Sequence, residues 1–332
     1  MNPLTWNATF RRFKPFIRKQ RDIERAGVSF AGELLPKVFL KSVGKQPGDL
    51  DYLQRNVFSI LFLALYSCIG IPERRLDFYG TINHAIRGIV TATDNILDDE
   101  LKPQLPLALP AEAPRFTSVM NILLFDRLIA HAKTSANIDP LVNALNDMEL
   151  ERALMASLAP IGALEAEEEA GRKCVPTPEE VLSKVHDQRG GNLLRLAFVI
   201  PLIVEDELRE KVARGAEGVY LLGMGLQLVD DLVDFGEDLA GGKHNYLHSL
   251  LHHTRGHFDA DKALEDSGSY GVEALFPEET ELVASKAVDE GLKGFGILHD
   301  LGFWIDDSSA KALLSRLFDL RGGGALKPPS LR

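Results

Sequence analysis

Residues 226–238 read LQLVDDLVDFGED, and no other stretch of the chain says as much about its fold. Apolar residues recur three and four positions apart, as in a helix, while Asp230, Asp234 and Asp238 lie four residues apart. That spacing stacks the three carboxylates on one helical face. Carboxylates on an otherwise apolar helix are costly to bury unless something positive pairs with them. The stretch therefore predicts a helix whose acidic face binds a cation.

A similar acidic stretch lies far upstream, where residues 91–100 read TATDNILDDE. Carboxylate oxygens suit hard cations such as Mg²⁺, which uses one or two carboxylates together with substrate phosphates and water. Neither stretch contains His or Cys, which argues against zinc. We call Asp94, Asp98 and Asp99 the first cluster, and Asp230, Asp231, Asp234 and Asp238 the second cluster.

The rest of the chain has the same helical texture. Apolar residues recur at spacings of three and four almost throughout, and alternating strand patterns are absent. We predict an all-α protein of about ten to twelve helices. Breaks rich in Gly and Pro do not change the texture, so we predict one catalytic domain over 46–321. A basic helical segment over 1–45, packed on the bundle, precedes it, and a flexible tail over 322–332 follows.

The charge distribution excludes some partners. The chain carries 37 Lys and Arg against 48 Asp and Glu, so we expect no nucleic-acid partner, which would need a basic face. Residues 1–45 alone carry ten Lys and Arg against three Asp and Glu. This segment suits a peripheral contact with an anionic membrane or ligand, or simple solvation. No secretory signal is evident and the apolar run 57–71 is too short to span a membrane, so we predict a cytoplasmic protein with this run in its core.

Together the two clusters resemble the aspartate-rich motifs of the class I isoprenoid synthases, and most closely those of the trans-prenyl diphosphate synthases. The family's first motif is DDxxD or DDxxxxD, and here it reads Asp94-Asn-Ile-Leu-Asp98, with asparagine at the second position. Its second motif is DDxxD after a Phe-Gln pair, and here it reads Gln227-Leu-Val-Asp230-Asp231-Leu-Val-Asp234. The resemblance covers residues 50–255 and implies the family's helical bundle around a central cavity.

Other stretches are similar to the family as well. Residues 184–198, KVHDQRGGNLLRLAF, resemble the stretch that holds its Lys-Thr pair, with Arg189 in place of the lysine. Residues 236–247, GEDLAGGKHNYL, resemble its DLxxGKxTLP, with Lys243 matching the lysine, and also the EDxxxGR of squalene and phytoene synthases. Two elements that serve the family's second, homoallylic diphosphate are degraded. Only Arg55 remains of the basic GKRxRP element, and the arginine pair after the first motif is missing.

The resemblance also implies the residue roles. It implies a cluster of about three Mg²⁺ ions on the bound diphosphate. The expected metal ligands are Asp94, Asp98, Asp99, Asp230, Asp234 and Asp238, and the expected catalytic set is Asp94, Asp98, Asp230, Asp231 and Asp234. We expect substrate contacts from Arg189, Lys243, Gln227, Arg55 and Arg87. Because the family is usually dimeric, a homodimer is expected.

The implied function is prenyl transfer. An allylic prenyl diphosphate is ionised, a new carbon–carbon bond forms, and diphosphate is released, with isopentenyl diphosphate as a candidate second substrate. One alternative is a terpene synthase, or a coupling enzyme of the squalene and phytoene type, which the missing arginine pair favours. Another is a non-catalytic subunit, with Asn95 as a sign of decay, although the complete second motif argues against it.

Two polar runs are interpreted as solvated surface. Residues 243–257, KHNYLHSLLHHTRGH, place His244, His248 and His252 on one helical face, with His253 and His257 beyond. Without nearby carboxylate or Cys ligands, a solvated helix is favoured over a transition-metal site. Residues 165–173, EAEEEAGRK, are interpreted as a solvated acidic face.

Overall fold

The structure, a computed structural model, is helical throughout the residues it describes. These are 3–42, 44, 46–136, 139–171, 174–256, 258–267 and 270–331, with side chains described except at 3–9 and 169. They contain no β-strand; one isolated antiparallel bridge joins Leu40 and Leu107. The helices outnumber the prediction because several are pieces of only one or two turns.

The chain divides into two compact units. The N-terminal unit comprises residues 10–150 and 200–209, and the C-terminal unit comprises residues 1–9, 151–199 and 210–332. The predicted catalytic domain over 46–321 contributes to both units. Unit boundaries fall inside helices rather than in Gly- or Pro-rich linkers, which explains why composition gave no sign of them.

The N-terminal unit contains one helix that is mostly buried. In α3 (Val57–Ile69) most side chains are buried, as expected for a helix that is apolar on all sides. It ends where Gly70 adopts a left-handed conformation with φ 101°, which a residue without a Cβ adopts at little cost. The other helices of this unit are α1 (Pro3–Leu34, from residue 10 onward), α2 (Asp49–Arg55), α4 (Glu73–Leu97), α5 (Pro114–Ser135) and α6 (Pro140–Ala144).

The core of the N-terminal unit joins its long helices to the loop that follows the first cluster. Phe125 and Leu128 of α5 and Ala31 of α1 are buried together with Leu105 and Leu107 of that loop. The loop is also held by its backbone, because Ala108 N–H donates to Phe39 O at 2.7 Å. The predicted basic segment 1–45 therefore contributes buried residues to this unit from Phe13 onward.

The C-terminal unit contains a run of helices and one long π-helix. The π-helix spans Val181–Asn192, and three single turns of 3₁₀-helix span Leu196–Phe198, Gly324–Leu326 and Pro329–Leu331. The α-helices are α7 (Asp147–Glu169, from residue 151 onward), α8 (Pro178–Glu180), α9 (Leu193–Arg195), α10 (Val199–Val204, shared between the units), α11 (Arg209–Val233), α12 (Phe235–Gly241), α13 (Tyr246–Thr254), α14 (Ala260–Ser267), α15 (Val272–Leu275), α16 (Pro277–Asp300) and α17 (Asp307–Leu320).

Helix α11 packs against the π-helix through backbone rather than side chains. A Cβ built on Gly223 would lie 2.1 Å from Gly190 O, far inside van der Waals contact with backbone that cannot rotate away. Next along the π-helix, Gly191 packs on the ring of Tyr220. Leu228 and Leu232 of α11 are fully buried. This close approach fixes the face of α11 that carries the second cluster.

We expect Gly223→Ala to destabilise the chain by about 1–3 kcal/mol or more, because the added methyl group forces the two helices apart. Thermal unfolding would measure the loss. Gly162→Ala is the matched control, since its Cβ would meet no atom within 4 Å in α7 and alanine favours helix. Equal melting temperatures for both variants would contradict the close approach.

Residues 322–331 of the predicted C-terminal tail contact the end of α17, and the flexibility of this segment stays a prediction. Lys327 Nζ lies 2.6 Å from Asp319 Oδ1, and Leu326 is buried. The backbone N–H of Gly323 donates to Phe318 O at 2.8 Å. Leu326 is the one apolar residue with a long side chain in the stretch 322–326, GGGAL, and its burial packs this part of the tail.

No single helix in the described part of the chain has both the length and the apolar composition needed to cross a membrane. Helices α2 and α3 meet that test only as a pair, and the pair is bent by 92°. Because α3 is mostly buried in its own unit, the run 57–71 forms core as predicted.

Candidate functional site

The first cluster lies at the C-terminal end of α4, in the N-terminal unit. Asp94 is half-buried in the last turn, and Asp98, exposed, ends the helix with its N–H donating to Asp94 O at 2.8 Å. The two carboxylates are thus one turn apart, as the spacing predicted. Asp99 is exposed in a left-handed conformation with φ 53°, and Arg115 Nε lies 3.2 Å from its Oδ1. Its role as a metal ligand stays a prediction.

A lysine that the sequence analysis did not select lies beside the first cluster. Lys102 Nζ is 2.7 Å from Glu100 Oε2. Hydrogen bonding to Glu100 raises the pKa of Lys102, and the charges of Glu100, Asp94 and Asp98 raise it further. Lys102 thus supplies a positive charge in the segment where the resemblance leads one to expect arginines.

Asn95, the departure from the family's first motif, has a structural role. It is 2% exposed, and its amide both donates to Lys102 O (3.1 Å) and accepts from Lys102 N–H (2.9 Å). A carboxylate cannot make both contacts because it has no donor when ionised. The asparagine therefore closes the turn after Asp98, which gives the substitution a reason other than decay.

We expect Asn95→Asp to destabilise the chain by about 1–3 kcal/mol, because it leaves Lys102 O without its donor and buries a charge. Thermal unfolding is the measurement, with the exposed Asn143→Asp as a control. A variant as stable as the wild type would show that the turn does not depend on this amide.

Arg55 and Arg87, both expected to contact substrate, lie next to each other in the N-terminal unit. Arg87 Nη2 donates to the backbone oxygen of Arg55 at 3.1 Å, and Arg87 Nη1 donates to Asn56 Oδ1. Arg87 thereby satisfies carbonyl and amide groups at the end of α2, while the Arg55 side chain is exposed. Arg87 is seven residues before Asp94, so both lie on the same side of α4.

The second cluster lies at the junction of α11 and α12, in the C-terminal unit. Asp234 N–H donates to Asp230 O and Asp238 N–H donates to Asp234 O, each at 2.8 Å, so helical spacing continues across the junction. Asp230, Asp234 and Asp238 are thus one turn apart in succession, as predicted.

The carboxylates of the second cluster are held close to one another and partly out of water. Burial raises the pKa of Asp230 to about 7; the charge of Arg321 opposes this, and those of Asp234 and Asp231 add to it. Burial also raises the pKa of Asp238 to about 7, against a hydrogen bond from Asn245 that lowers it. The anionic forms of these side chains are therefore short of compensating positive charge.

Two cations approach the second cluster. Burial raises the pKa of Asp234 and of Asp238, and the charge of Lys243 opposes both shifts, which places this predicted residue near the cluster. Arg321, at the end of α17, has its Nε 3.3 Å from Asp230 Oδ1. Arg321 was not predicted to lie here, because nothing near it in the sequence resembles a motif.

Asp231 differs from its neighbours because its side chain points into the protein. It is 1% exposed and accepts hydrogen bonds from His186 Nε2 (2.8 Å) and Gln227 Nε2 (3.1 Å). Gln227, expected to contact substrate, is therefore directed at Asp231. A catalytic role for Asp231 and a substrate contact for Gln227 stay predictions. Their contacts with each other do not favour these roles.

Arg189 is engaged by α7. Its Nε and Nη2 each lie 2.7 Å from a Glu165 carboxylate oxygen, and Nη2 also contacts Glu168. Glu168 accepts from the backbone N–H of His244 at 2.6 Å, and its side chain is only 6% exposed. Glu165 and Glu168 are therefore not solvated as the sequence suggested, because both pair with Arg189. Arg189 would have to leave this pair to contact a diphosphate.

The histidine run is also less solvated than its sequence suggested. His248 is 4% exposed, and the His244 side chain is 10% exposed. His252 and His253 are exposed, while His257 lies outside the described residues. The interpretation as a solvated helix therefore holds for only part of this run.

The residues present fit Mg²⁺ better than a softer metal. The second cluster offers hard carboxylate oxygens, and the histidine that it contacts, His186, is turned to Asp231. Nowhere in the described ranges do three or more His, Cys, Asp or Glu side chains converge to hold a metal ion by themselves.

Comparison with known proteins identifies the fold. Neither a scan against protein-family models nor a search of curated protein sequences gives a match. Solved structures do match over nearly the whole chain. A heptaprenyl diphosphate synthase from Staphylococcus aureus gives a TM-score of 0.61 at 15% identity, covering 92% of this chain and 98% of that one. A decaprenyl diphosphate synthase from Rhodobacter capsulatus gives 0.57 at 14%, covering 93% and 99%.

A geranylgeranyl pyrophosphate synthetase from the archaeon Geoglobus acetivorans gives a TM-score of 0.55 at 15% identity, covering 91% of this chain and 98% of that one. The chain therefore has the fold of the trans-prenyl diphosphate synthases, the class I isoprenoid synthase fold. The predicted all-α class and the resemblance drawn from the two clusters are both confirmed.

Proposed function

We propose that the chain is a Mg²⁺-dependent prenyltransferase that ionises an allylic prenyl diphosphate and forms a new carbon–carbon bond. The observation that carries the proposal is the second cluster. Three carboxylates stand in register at the junction of α11, whose apolar side chains are buried, and α12, with Lys243 and Arg321 beside them, in a chain that has the prenyl-synthase fold. Such an arrangement suits a cation shared with a diphosphate better than it suits solvent.

Each group in the proposed site has a separate task. Asp230, Asp234 and Asp238 of the C-terminal unit would hold Mg²⁺. For Asp94 and Asp98 of the N-terminal unit, the role of metal ligand rests on the resemblance in sequence. When bound, Mg²⁺ neutralises the negative charge that develops on the leaving diphosphate as the allylic C–O bond breaks. Lys243 and Arg321 beside the second cluster, and Lys102 beside the first, would donate hydrogen bonds to phosphate oxygens. For Arg55, a contact with substrate rests on the resemblance in sequence. The apolar residues that precede each cluster would exclude water from the carbocation.

A terpene synthase or a coupling enzyme is the second candidate. It is favoured by the state of the cations that would serve a second diphosphate. A single lysine, Lys102, takes the place of the arginine pair, and the guanidinium of Arg87 is occupied by Asn56 and the backbone of Arg55. An enzyme that ionises one prenyl diphosphate and needs no homoallylic partner would not require further cations for a second diphosphate.

Partners form part of the proposal. Phe116, Val119 and Leu123 are exposed on one side of α5, and burying them against a second copy would give the expected homodimer. Arg11, Lys14 and Arg18 are exposed on one side of α1, which suits a peripheral contact with anionic lipid.

The test is incubation with Mg²⁺ and farnesyl or geranylgeranyl diphosphate, with and without isopentenyl diphosphate. Released diphosphate and organic products are measured. We expect consumption that depends on isopentenyl diphosphate and yields a longer diphosphate. Release without it, giving a hydrocarbon or an alcohol, would replace prenyl elongation by the second candidate. No Mg²⁺-dependent release from any prenyl diphosphate would point to a non-catalytic subunit.

A further inference from the structure

A buried set of polar contacts lies directly beneath the second cluster. We call His186, Gln227, Asp231, Asn245 and the backbone of Tyr246 the anchor network. Asp231 accepts from His186 Nε2 at 2.8 Å, from Gln227 Nε2 at 3.1 Å and from the backbone N–H of Tyr246. Both of its oxygens are therefore used inside the protein, although it lies between Asp230 and the rest of the cluster in sequence.

This use of Asp231 has an energetic reason. A carboxylate that is 1% exposed is stable in the fold only if donors surround it, and three donors do so here. They come from three elements, the π-helix, α11 and the start of α13. Asp231 therefore fastens the end of α11, where Asp230 lies, to two neighbouring elements.

Asn245 fastens the other side of the cluster. Its Nδ2 donates to Asp231 O at 2.7 Å and to Asp238 Oδ2 at 2.9 Å. Asp231 O belongs to the last turn of α11, where carbonyl groups have no partner within the helix. Asn245 Oδ1 in turn accepts from His248 N–H at 3.0 Å and caps α13. One side chain thus sets the direction of Asp238 relative to the end of α11.

His186 carries a cost that packing alone does not explain. It is 0% exposed, and within the described part of the chain no group hydrogen-bonds to its Nδ1. A buried polar atom without a partner destabilises a fold, so His186 supplies its donor to Asp231 at a cost in stability. It lies on a π-helix of twelve residues, a form that occurs mostly as single turns near functional sites.

We propose that His186 and Asn245 are positioning residues that act through Asp231 and Asp238 to hold the second cluster in metal-binding geometry. This inference rests on the proposed function, because it assigns both residues to the Mg²⁺ and diphosphate site described there. Residues that orient metal ligands commonly change metal affinity by about 10- to 100-fold when they are replaced.

The first experiment compares His186→Leu with His186→Gln. Calorimetric titration of each variant with Mg²⁺, in the presence of inorganic diphosphate, gives the metal affinity without a reaction. We expect about 10- to 100-fold weaker binding for leucine, and much of it restored by glutamine, whose Nε2 can replace the donor. Thr280→Val is the control, since it removes another buried hydrogen bond of the same unit, to Val272 O. Leucine and wild-type proteins of equal affinity would overturn the inference.

The second experiment uses Asn245→Ser, which keeps the inference testable if His186→Leu does not fold. Serine is a good helix N-cap but too short to reach both Asp231 and Asp238. The matched control is Asp306→Ser, because Asp306 caps α17 in the same way, by accepting from Ser309 N–H. We expect weaker Mg²⁺ binding for Asn245→Ser alone, with a raised KM for Mg²⁺ and a smaller change in kcat. Equal affinities for the two variants would reduce Asn245 to a helix cap.

The wild-type titration separates the two proposals. A wild-type chain that binds no Mg²⁺ with inorganic diphosphate and releases no diphosphate would contradict the proposed function itself. The other outcome is a wild-type chain that binds Mg²⁺ and releases diphosphate. If His186→Leu and Asn245→Ser then bind Mg²⁺ as tightly as the wild type, only the positioning role is contradicted.

Discussion

Asp230→Asn is expected to lower the rate of diphosphate release by at least about 100-fold while leaving the fold intact. Asparagine has the same size as aspartate but no charge, so it removes a metal ligand without opening a cavity. Asp230 is half-buried, and its burial, with a smaller contribution from the charges of Asp234 and Asp231, raises its pKa. Losing one negative charge there therefore relieves repulsion. The cost of losing the contact with Arg321 is small, since that arginine is 48% exposed.

The measurements are the initial rate of diphosphate release and the melting temperature in metal-free buffer. Mg²⁺ with diphosphate should raise the melting temperature of the wild type, because a ligand stabilises the state that binds it, and should raise that of Asp230→Asn much less. Asp261→Asn is the control, an exposed aspartate of α14. If Asp230→Asn released diphosphate at the wild-type rate, the second cluster would have no role in catalysis. Only the assignment of the fold would then stand.

The faces of the two cluster helices were predictable from the sequence. Helical geometry alone places Asp230, Asp234 and Asp238 one turn apart, and apolar neighbours predict which side is buried. The periodicity did not distinguish Asp231 from its neighbours. Whether a carboxylate at the edge of an acidic face is solvated or turned inward depends on donors such as His186, which lies 45 positions away in the sequence.

Long-range pairing accounts for most of what the sequence did not predict. Arg189 matched a family position, and the sequence did not indicate that two glutamates of α7 pair with it. Its contact with substrate stays a prediction. Arg321 matched no motif and yet lies at Asp230. Charge patterns report which residues can form pairs along one helix face, and they carry no information about pairs between helices. The packing role of Gly223 in α11 could not be predicted for the same reason, because it depends on the contact of Gly223 with the π-helix.

The largest stability effect is expected in the N-terminal unit, where Arg75→Met should cost about 3–5 kcal/mol. Arg75 is 6% exposed and makes a two-pronged contact with Glu205, from Nε at 2.6 Å and from Nη2 at 2.9 Å. Its Nη1 lies 3.2 Å from Asp139 Oδ2, and Tyr79 also donates to Glu205. Methionine fills much of the volume but leaves two buried carboxylates without this cation.

The adjacent arginine is a matched control for this effect. Arg74 contacts the same Asp139 carboxylate, but its side chain is 65% exposed, so water replaces most of what Arg74→Met removes. We expect a loss of at most about 1 kcal/mol for Arg74→Met in urea unfolding monitored by circular dichroism. Comparable losses for the two variants would mean that burial does not set the strength of this network.

A double variant separates the buried charge from the lost contacts. Arg75→Met combined with Glu205→Gln neutralises the carboxylate that Arg75 no longer reaches, while Tyr79 keeps an acceptor at the same position. Breaking an ion pair costs more than deleting both of its charges, because the partner left behind stays buried and unpaired. The double variant should therefore be more stable than Arg75→Met alone. A double variant less stable by the sum of both single losses would place the energy in packing rather than in charge.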